Sequence, residues 1–455
     1  MIINFIALAL LAFIIYFGNY YYTIAKIGAG YKAKILCSAV FVSKRNPEEA
    51  IKNDLSFSVL HFFNYKVDYK ARSVTCSLLW GLIKRKAQFF PSHGAVLDAD
   101  PNSFIDKIIP ESKNDSLEGD SILYTSEKFN EINYFHLNKI IDEQFIEKDS
   151  LRVLKTEAVI ILYKGKIIGE KYSNSANAES RLCGWSMTKT FANALTAILI
   201  NKGFVKVEDR FNLSYWKDDP AKKEITLDNI LRMNAGLEFR ESYKEFDSDA
   251  IKMLYLYNDS AKYAANSKTI YKPGTVWNYS SGSSNLLSQF LKEKLLERNL
   301  DPYNFTHSEL LDKIGMNSSV VETDLSGTML LSSGLYATAH QWARLGKLYL
   351  QNGIWNGENL FPDWWMKYST TRTVSSRFQK FGAHIWVKPN GSKRESRLPF
   401  IELLPDDLFF ATGHYGQYLF IVPSKNLVVL RLGQTEKSDY FNEYKFLIDI
   451  CKTVT

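Results

Sequence analysis

Gly184-Trp185-Ser186-Met187-Thr188-Lys189-Thr190-Phe191-Ala192-Asn193-Ala194-Leu195-Thr196-Ala197-Ile198-Leu199-Ile200-Asn201-Lys202-Gly203 is the stretch on which the reading of this chain turns. Phe191, Leu195, Ile198 and Leu199 recur at three- and four-residue spacing, and Lys202-Gly203 supplies a stop, so the segment reads as an amphipathic helix opened by Ser186. Residues i and i+3 share a helix face, which brings the Lys189 amine within reach of the Ser186 hydroxyl. A serine becomes a nucleophile only beside a base, and this pairing provides one. The positive end of the helix dipole also favours negative charge on the serine oxygen and disfavours positive charge on the amine, which lowers the lysine's proton affinity. A second S-x-x-K, Ser214-Tyr215-Trp216-Lys217, sits in a polar loop with no such helix. The four-residue pattern alone is common in a chain of this length and is equally compatible with a plain helix cap and a solvated lysine.

Outward from this helix, strands lie on both sides. Ala158 to Tyr163 is an apolar run, Lys164-Gly165-Lys166 a turn, and Ile167 to Tyr172 the return: a β-hairpin. Near the other end, Leu419 to Pro423 and Leu427 to Leu432 flank Ser424-Lys425-Asn426 as a second hairpin, followed by a helix over 439–451. Helical patterns over 226–233, 284–296, 307–314 and 338–351 fill the interval. Strands at both ends with helices between them predict one sheet assembled from distant parts of the chain. The expected fold is α/β (α+β): an antiparallel sheet flanked by helices, with a mostly helical region over about 205–400 and Ser186 between the two.

Two loops sharpen the chemistry. Pro273-Gly274-Thr275-Val276-Trp277-Asn278-Tyr279-Ser280-Ser281-Gly282 is a turn leading into a helix, and Ala411-Thr412-Gly413-His414-Tyr415-Gly416-Gln417 places a Gly-flanked histidine where a strand begins. Taken singly, Tyr279 is an ordinary core tyrosine and His414 a turn residue. S-x-x-K, a Tyr-Ser-Ser loop about 90 residues on, and a His-x-Gly box before the last hairpin together resemble the serine β-lactamase and penicillin-binding superfamily. Within it the chain is most similar to class C-related serine hydrolases of the 6-aminohexanoate-oligomer hydrolase and esterase type. Met233-Asn234-Ala235-Gly236-Leu237 and Ser333-Gly334-Leu335-Tyr336-Ala337 add to the likeness, which spans roughly 150–455.

The resemblance implies roles. Ser186 attacks a carbonyl, while Lys189 and Tyr279 share general-base and general-acid duty. The backbone amides of Ser186 and Gln417 form an oxyanion hole, and Ser281, His414 and Gly416 shape the substrate side. It implies no metal and no cofactor, and a small-molecule amide or ester as substrate. Ser281 stands where β-lactamases carry Asn, and His414 replaces the Lys that holds a β-lactam carboxylate; both point to an amidase or esterase. A D-Ala-D-Ala peptidase and a non-catalytic binding scaffold on the same fold are the alternatives. No G-x-S-x-G elbow, H-E-x-x-H or P-loop is present.

Three units are expected: a membrane segment at 1–22, an extension at 23–150, and the hydrolase domain at 151–455. Residues 2–17 are apolar and uncharged, followed by Asn19-Tyr20-Tyr21-Tyr22, which reads as a short transmembrane anchor with an interfacial aromatic patch. A signal peptide is the competing reading, but no Lys or Arg precedes the run and no A-x-A site follows it. The expected location is a bacterial inner membrane with the catalytic domain in the periplasm or outside the cell, although Lys26, Lys32 and Lys34 count towards a cytoplasmic body. A net charge of +7 with short basic runs, Lys84-Arg85-Lys86 and Lys393-Arg394, excludes a nucleic-acid surface. Residues 98–120 read as a linker. Cys37, Cys76, Cys183 and Cys451 have no metal-ligand spacing; a Cys37–Cys76 disulfide and four buried thiols are both open.

Overall fold

A computed structural model of the chain describes residues 2–55, 58–104, 123–126, 128–147, 153–376, 379–390, 400–437 and 440–454, with residues 2–15 and 58 in backbone only. The strands, in chain order, are β1 (Asn64–Asp68), β2 (Ser73–Leu78), β3 (Ile83–Phe90), β4 (Gly94–Leu97), β5 (Thr156–Tyr163), β6 (Lys166–Tyr172), β7 (Leu182–Cys183), β8 (Val320–Val321), β9 (Leu335–Ala337), β10 (Ile354–Trp355), β11 (Glu358–Asn359), β12 (Trp386–Val387), β13 (Phe409–Gly413), β14 (Gln417–Val422) and β15 (Leu427–Gly433). The main sheet is antiparallel with order β12-β13-β14-β15-β5-β6, so strands from the two ends of the domain meet at β15 and β5.

Every residue of β5 and β15 is buried because the sheet is covered on both faces. Side chains alternate between two cores, as strand geometry requires. Ile160, Leu162, Leu419, Ile421, Val428 and Leu430 join one core with the helices Thr188–Asn201 and Ala339–Leu350. Val159, Ile161, Phe420, Val422 and Val429 join the other, with the helices Tyr134–Glu143 and Glu443–Lys452. Both expected hairpins form. The sequence pattern missed β13: its residues Phe409-Phe410-Ala411-Thr412-Gly413 pair with β14, so His414 lies in a turn between two strands rather than at the start of one.

The first part of the extension is a helix packed on a sheet. An N-terminal helix runs Ile2–Cys37, and its second half packs on the four-stranded sheet β1-β2-β3-β4. Ala29, Ala33 and Leu36 face Val74, Cys76 and Ala87; two of the three helix residues are alanine, which lets the helix lie close to the sheet. This unit is tied to the hydrolase domain by buried polar contacts. Lys34 Nζ pairs with Glu322 at 2.9 Å, Ser38 Oγ donates to the same carboxylate at 2.5 Å, and Arg85 donates to the Tyr255 carbonyl at 3.1 Å. Among the described residues no helix is long and apolar enough to cross a membrane. The anchor expectation therefore rests on the sequence of residues 2–17, whose side chains lie outside the described ones up to residue 15. All four cysteines are free thiols, which removes the disulfide; Cys37 Sγ lies 3.6 Å from the Ala87 carbonyl instead. The linker expected over 98–120 lies outside the described residues from 105 onward, as does Lys393-Arg394.

Candidate active site

Ser186 stands in a short 3-10 turn, Trp185–Met187, that feeds the helix Thr188–Asn201. The turn begins with Trp185 in left-handed backbone conformation (φ 48°), a costly choice for a large residue and one found where geometry is held for a purpose. Thr188 clamps it: its hydroxyl donates to the Trp185 carbonyl at 2.7 Å and accepts from the Leu335 amide on β9 at 3.1 Å.

Lys189 lies one turn further, almost wholly buried. Its amine reaches the Ser186 hydroxyl at 2.9 Å, the Ser281 hydroxyl at 3.2 Å and the Ser332 carbonyl at 2.8 Å. These are dipoles, not charges, so burial lowers the ammonium's pKa to about 8, with the more distant Glu241 pulling the other way. Tyr279 faces the amine across its ring, 5.0 Å from the centroid. Burial and Glu241 raise its phenol above the ordinary value, and a hydrogen bond with Ser186 lowers it in part. The structure thus brings Ser186, Lys189, Tyr279 and Ser281 together.

A second layer had no signal in the sequence. Glu241 accepts from the Ser281 amide at 2.7 Å, from its hydroxyl at 2.6 Å and from the Tyr243 hydroxyl at 2.8 Å. Tyr243 in turn stacks on His414 with ring centroids 5.0 Å apart. His384 is buried beside the lysine, bonded to the Ser284 hydroxyl (3.0 Å) and the Leu231 carbonyl (2.7 Å); burial holds it near 4, hence neutral. Glu241-Ser242-Tyr243 sits in a polar loop without periodicity, and only contact in space marks it.

The His414 box closes the site from the sheet side. His414 also meets Trp185 edge-on at 5.7 Å, and burial lowers its pKa to about 4, so the box carries no cation at neutral pH. Gly413 comes so near the Ser186 turn that a Cβ there would stand 2.1 Å from the Gly184 carbonyl. Gly416 has φ 79°, and its carbonyl accepts from the buried Arg431 at 2.6 Å. The Gln417 side chain is turned inward, donating to the His414 and Gly433 carbonyls and accepting from the Gly433 amide. It braces the turn.

A family model described as Beta-lactamase matches residues 153–450. This chain belongs to the beta-lactamase family. Membership carries the broad class of serine hydrolase. An uncharacterised protein of Alkalihalophilus pseudofirmus is 21% identical over 363 residues, covering 70% of this chain and 98% of that one. Among solved structures, the chain is similar to a candidate 6-aminohexanoate-dimer hydrolase from Bacillus anthracis, with 20% identity over 72% of this chain and 87% of that one and a TM-score of 0.57. It is similar also to EstCE1, described as a hydrolase with promiscuous acyltransferase activity: 14% identity, 70% and 99% coverage, TM-score 0.57. At these identities the solved structures show the beta-lactamase fold and nothing finer.

Proposed function

We propose that this beta-lactamase family member hydrolyses an amide or ester through an acyl-Ser186 intermediate. The observation that carries the reading is the buried Lys189 amine 2.9 Å from Ser186 Oγ, with its proton affinity lowered to about 8. An amine with that affinity is neutral in a useful fraction of molecules near pH 8 and accepts the serine proton as Oγ attacks the carbonyl carbon. The carbonyl π pair moves to oxygen, where the Ser186 and Gln417 amides donate to it. Tyr279, whose phenol is held protonated, passes a proton to the leaving nitrogen or oxygen as the bond to carbon breaks, and is reprotonated from Lys189. Water then repeats the sequence on the acyl-enzyme, with Ser186 as leaving group. The neutral His414 and the hydroxyl of Ser281 favour a substrate without the carboxylate that a β-lactam presents. We assign residues 2–17 to an anchor in a bacterial inner membrane, with the hydrolase domain in the periplasm or outside the cell.

The test is intact-mass analysis of the detergent-solubilised chain after a fluorophosphonate probe. One adduct on the natural sequence and none on Ser186→Ala is the expected result. A folded, unmodified natural chain would sink the proposal.

A further inference from the structure

The unit formed by the N-terminal helix and β1–β4 leaves a group of large apolar side chains in water at one of its ends. The β2–β3 connection, Leu79-Trp80-Gly81-Leu82, projects from the sheet with Trp80 fully exposed and Leu82 three-quarters exposed. Leu79 and Trp80 both hold left-handed backbone (φ 51° and 52°), a strained arrangement for bulky residues. Beside it, the turn Ser58–Phe62 exposes Val59 and Phe62. Single exposed apolar residues are ordinary, but a contiguous group on one end of a small unit marks an interaction surface.

Register shows which end this is. Asn64, which follows the 58–62 turn, pairs with Ser77, and Ser77 pairs with Lys84, so turn and tip lie side by side. Lys32 of the helix donates to the Leu60 and Phe63 carbonyls at 3.0 and 2.6 Å, and a Cβ on Gly28 would stand 2.8 Å from the Phe63 ring. Ala25 and Leu78 pack into the same core. The apolar tip is therefore level with the residues just before Ala25. The next turn of helix towards the N-terminus carries the exposed Tyr20, Tyr21 and Tyr22, and beyond these lies the apolar run 2–17.

Charge points to the same partner. Residues 1–97 hold twelve Lys and Arg against four Asp and Glu, with no acid before Glu48, whereas the rest of the chain is balanced. On the sheet face turned away from the helix, Lys66 and Lys84 are exposed and Lys86 is half-buried, while Ile83, Arg85 and Ala87 point inward. Trp and Tyr with basic residues behind them suit the headgroup layer of a bilayer, where aromatic rings are half solvated and ammonium groups meet lipid phosphates.

We propose that the β2–β3 tip and the 58–62 turn insert into the headgroup layer of an anionic lipid bilayer beside the point where the N-terminal helix enters it. This rests on the anchor assigned above and adds a second point of attachment. Two points fix the orientation of the unit, and the Lys34–Glu322 and Arg85–Tyr255 contacts pass that orientation to the hydrolase domain.

The experiment uses the full chain in phosphatidylcholine vesicles with and without phosphatidylglycerol. Trp80→Cys is labelled with an environment-sensitive nitrobenzoxadiazole, and Tyr69→Cys, exposed at the other end of the same sheet, serves as reference, with the unsubstituted chain as labelling blank. The expected result is a blue shift and loss of emission to lipid-borne nitroxide at position 80 but not at 69, stronger with phosphatidylglycerol. Equal, weak quenching at both positions on chain that floats with the vesicles would overturn the docking and leave the anchor standing. Chain that fails to float would overturn both. Quenching at 80 that ignores phosphatidylglycerol would overturn the role given to anionic lipid.

Discussion

Lys34 and Lys189 are both almost wholly buried, yet the protein surrounds them differently. Lys34, in the N-terminal helix, has the Glu322 carboxylate at 2.9 Å and the Ala95 carbonyl at 2.6 Å. Lys189, in the helix behind Ser186, has two hydroxyls and a carbonyl. A buried amine paired with a carboxylate works as a strut; a buried amine among neutral dipoles loses affinity for its proton. The same residue type thus joins the extension to the domain in one place and lies beside the Ser186 hydroxyl in the other.

The largest effect that can break this contrast is at the base. Lys189→Ala should lower fluorophosphonate labelling and ester hydrolysis by about a thousandfold or more while the far-ultraviolet circular dichroism is kept. A variant that retains a tenth of the activity would remove Lys189 from the chemistry. Next comes the strut. Glu322→Gln strands the Lys34 ammonium in the interior and should cost about 3 kcal/mol or more in denaturant unfolding, with labelling per folded molecule unchanged. Unaltered stability would mean that the pair does not tie the two regions together.

The smallest effect sharpens the comparison through pH. Labelling should rise as pH climbs through about 8, because Lys189 must lose its proton to act. The same depressed affinity costs stability below about pH 8, and that cost is relieved as pH rises towards the amine's ordinary value. Glu241 favours the charged amine, so Glu241→Gln should move the rising limb to lower pH, by less than about one unit at this partly screened site. A limb that stays in place would detach Glu241 from the base.

Much of the domain was legible because its signals are local. The run 158–163 is apolar without interruption and 427–432 is broken only by Arg431, and each forms a fully buried strand. β13 escaped notice: Phe409-Phe410-Ala411-Thr412-Gly413 is short and ends in Thr-Gly, and becomes a strand through pairing with β14. Ser186, Lys189, Tyr279 and Ser281 could be named from motif and order. Glu241 and His384 could not, because an isolated polar residue in a loop looks the same whether or not it faces the site. The helix–sheet contact of the extension was not legible, since it depends on small residues, Ala29 and Ala33, which leave a faint pattern.

Sequence alone determined the S-x-x-K helix, both apolar hairpins and the apolar start of the chain, because periodicity and spacing are set within a few turns of backbone. Tertiary structure alone decided that Lys189 meets two hydroxyls and a carbonyl, that Glu241 stands behind Ser281, and that Lys34 finds Glu322 nearly three hundred residues away. Proton affinity depends on burial and on charges a few ångströms away, and those neighbours come from segments whose distance in the chain carries no information about their distance in space.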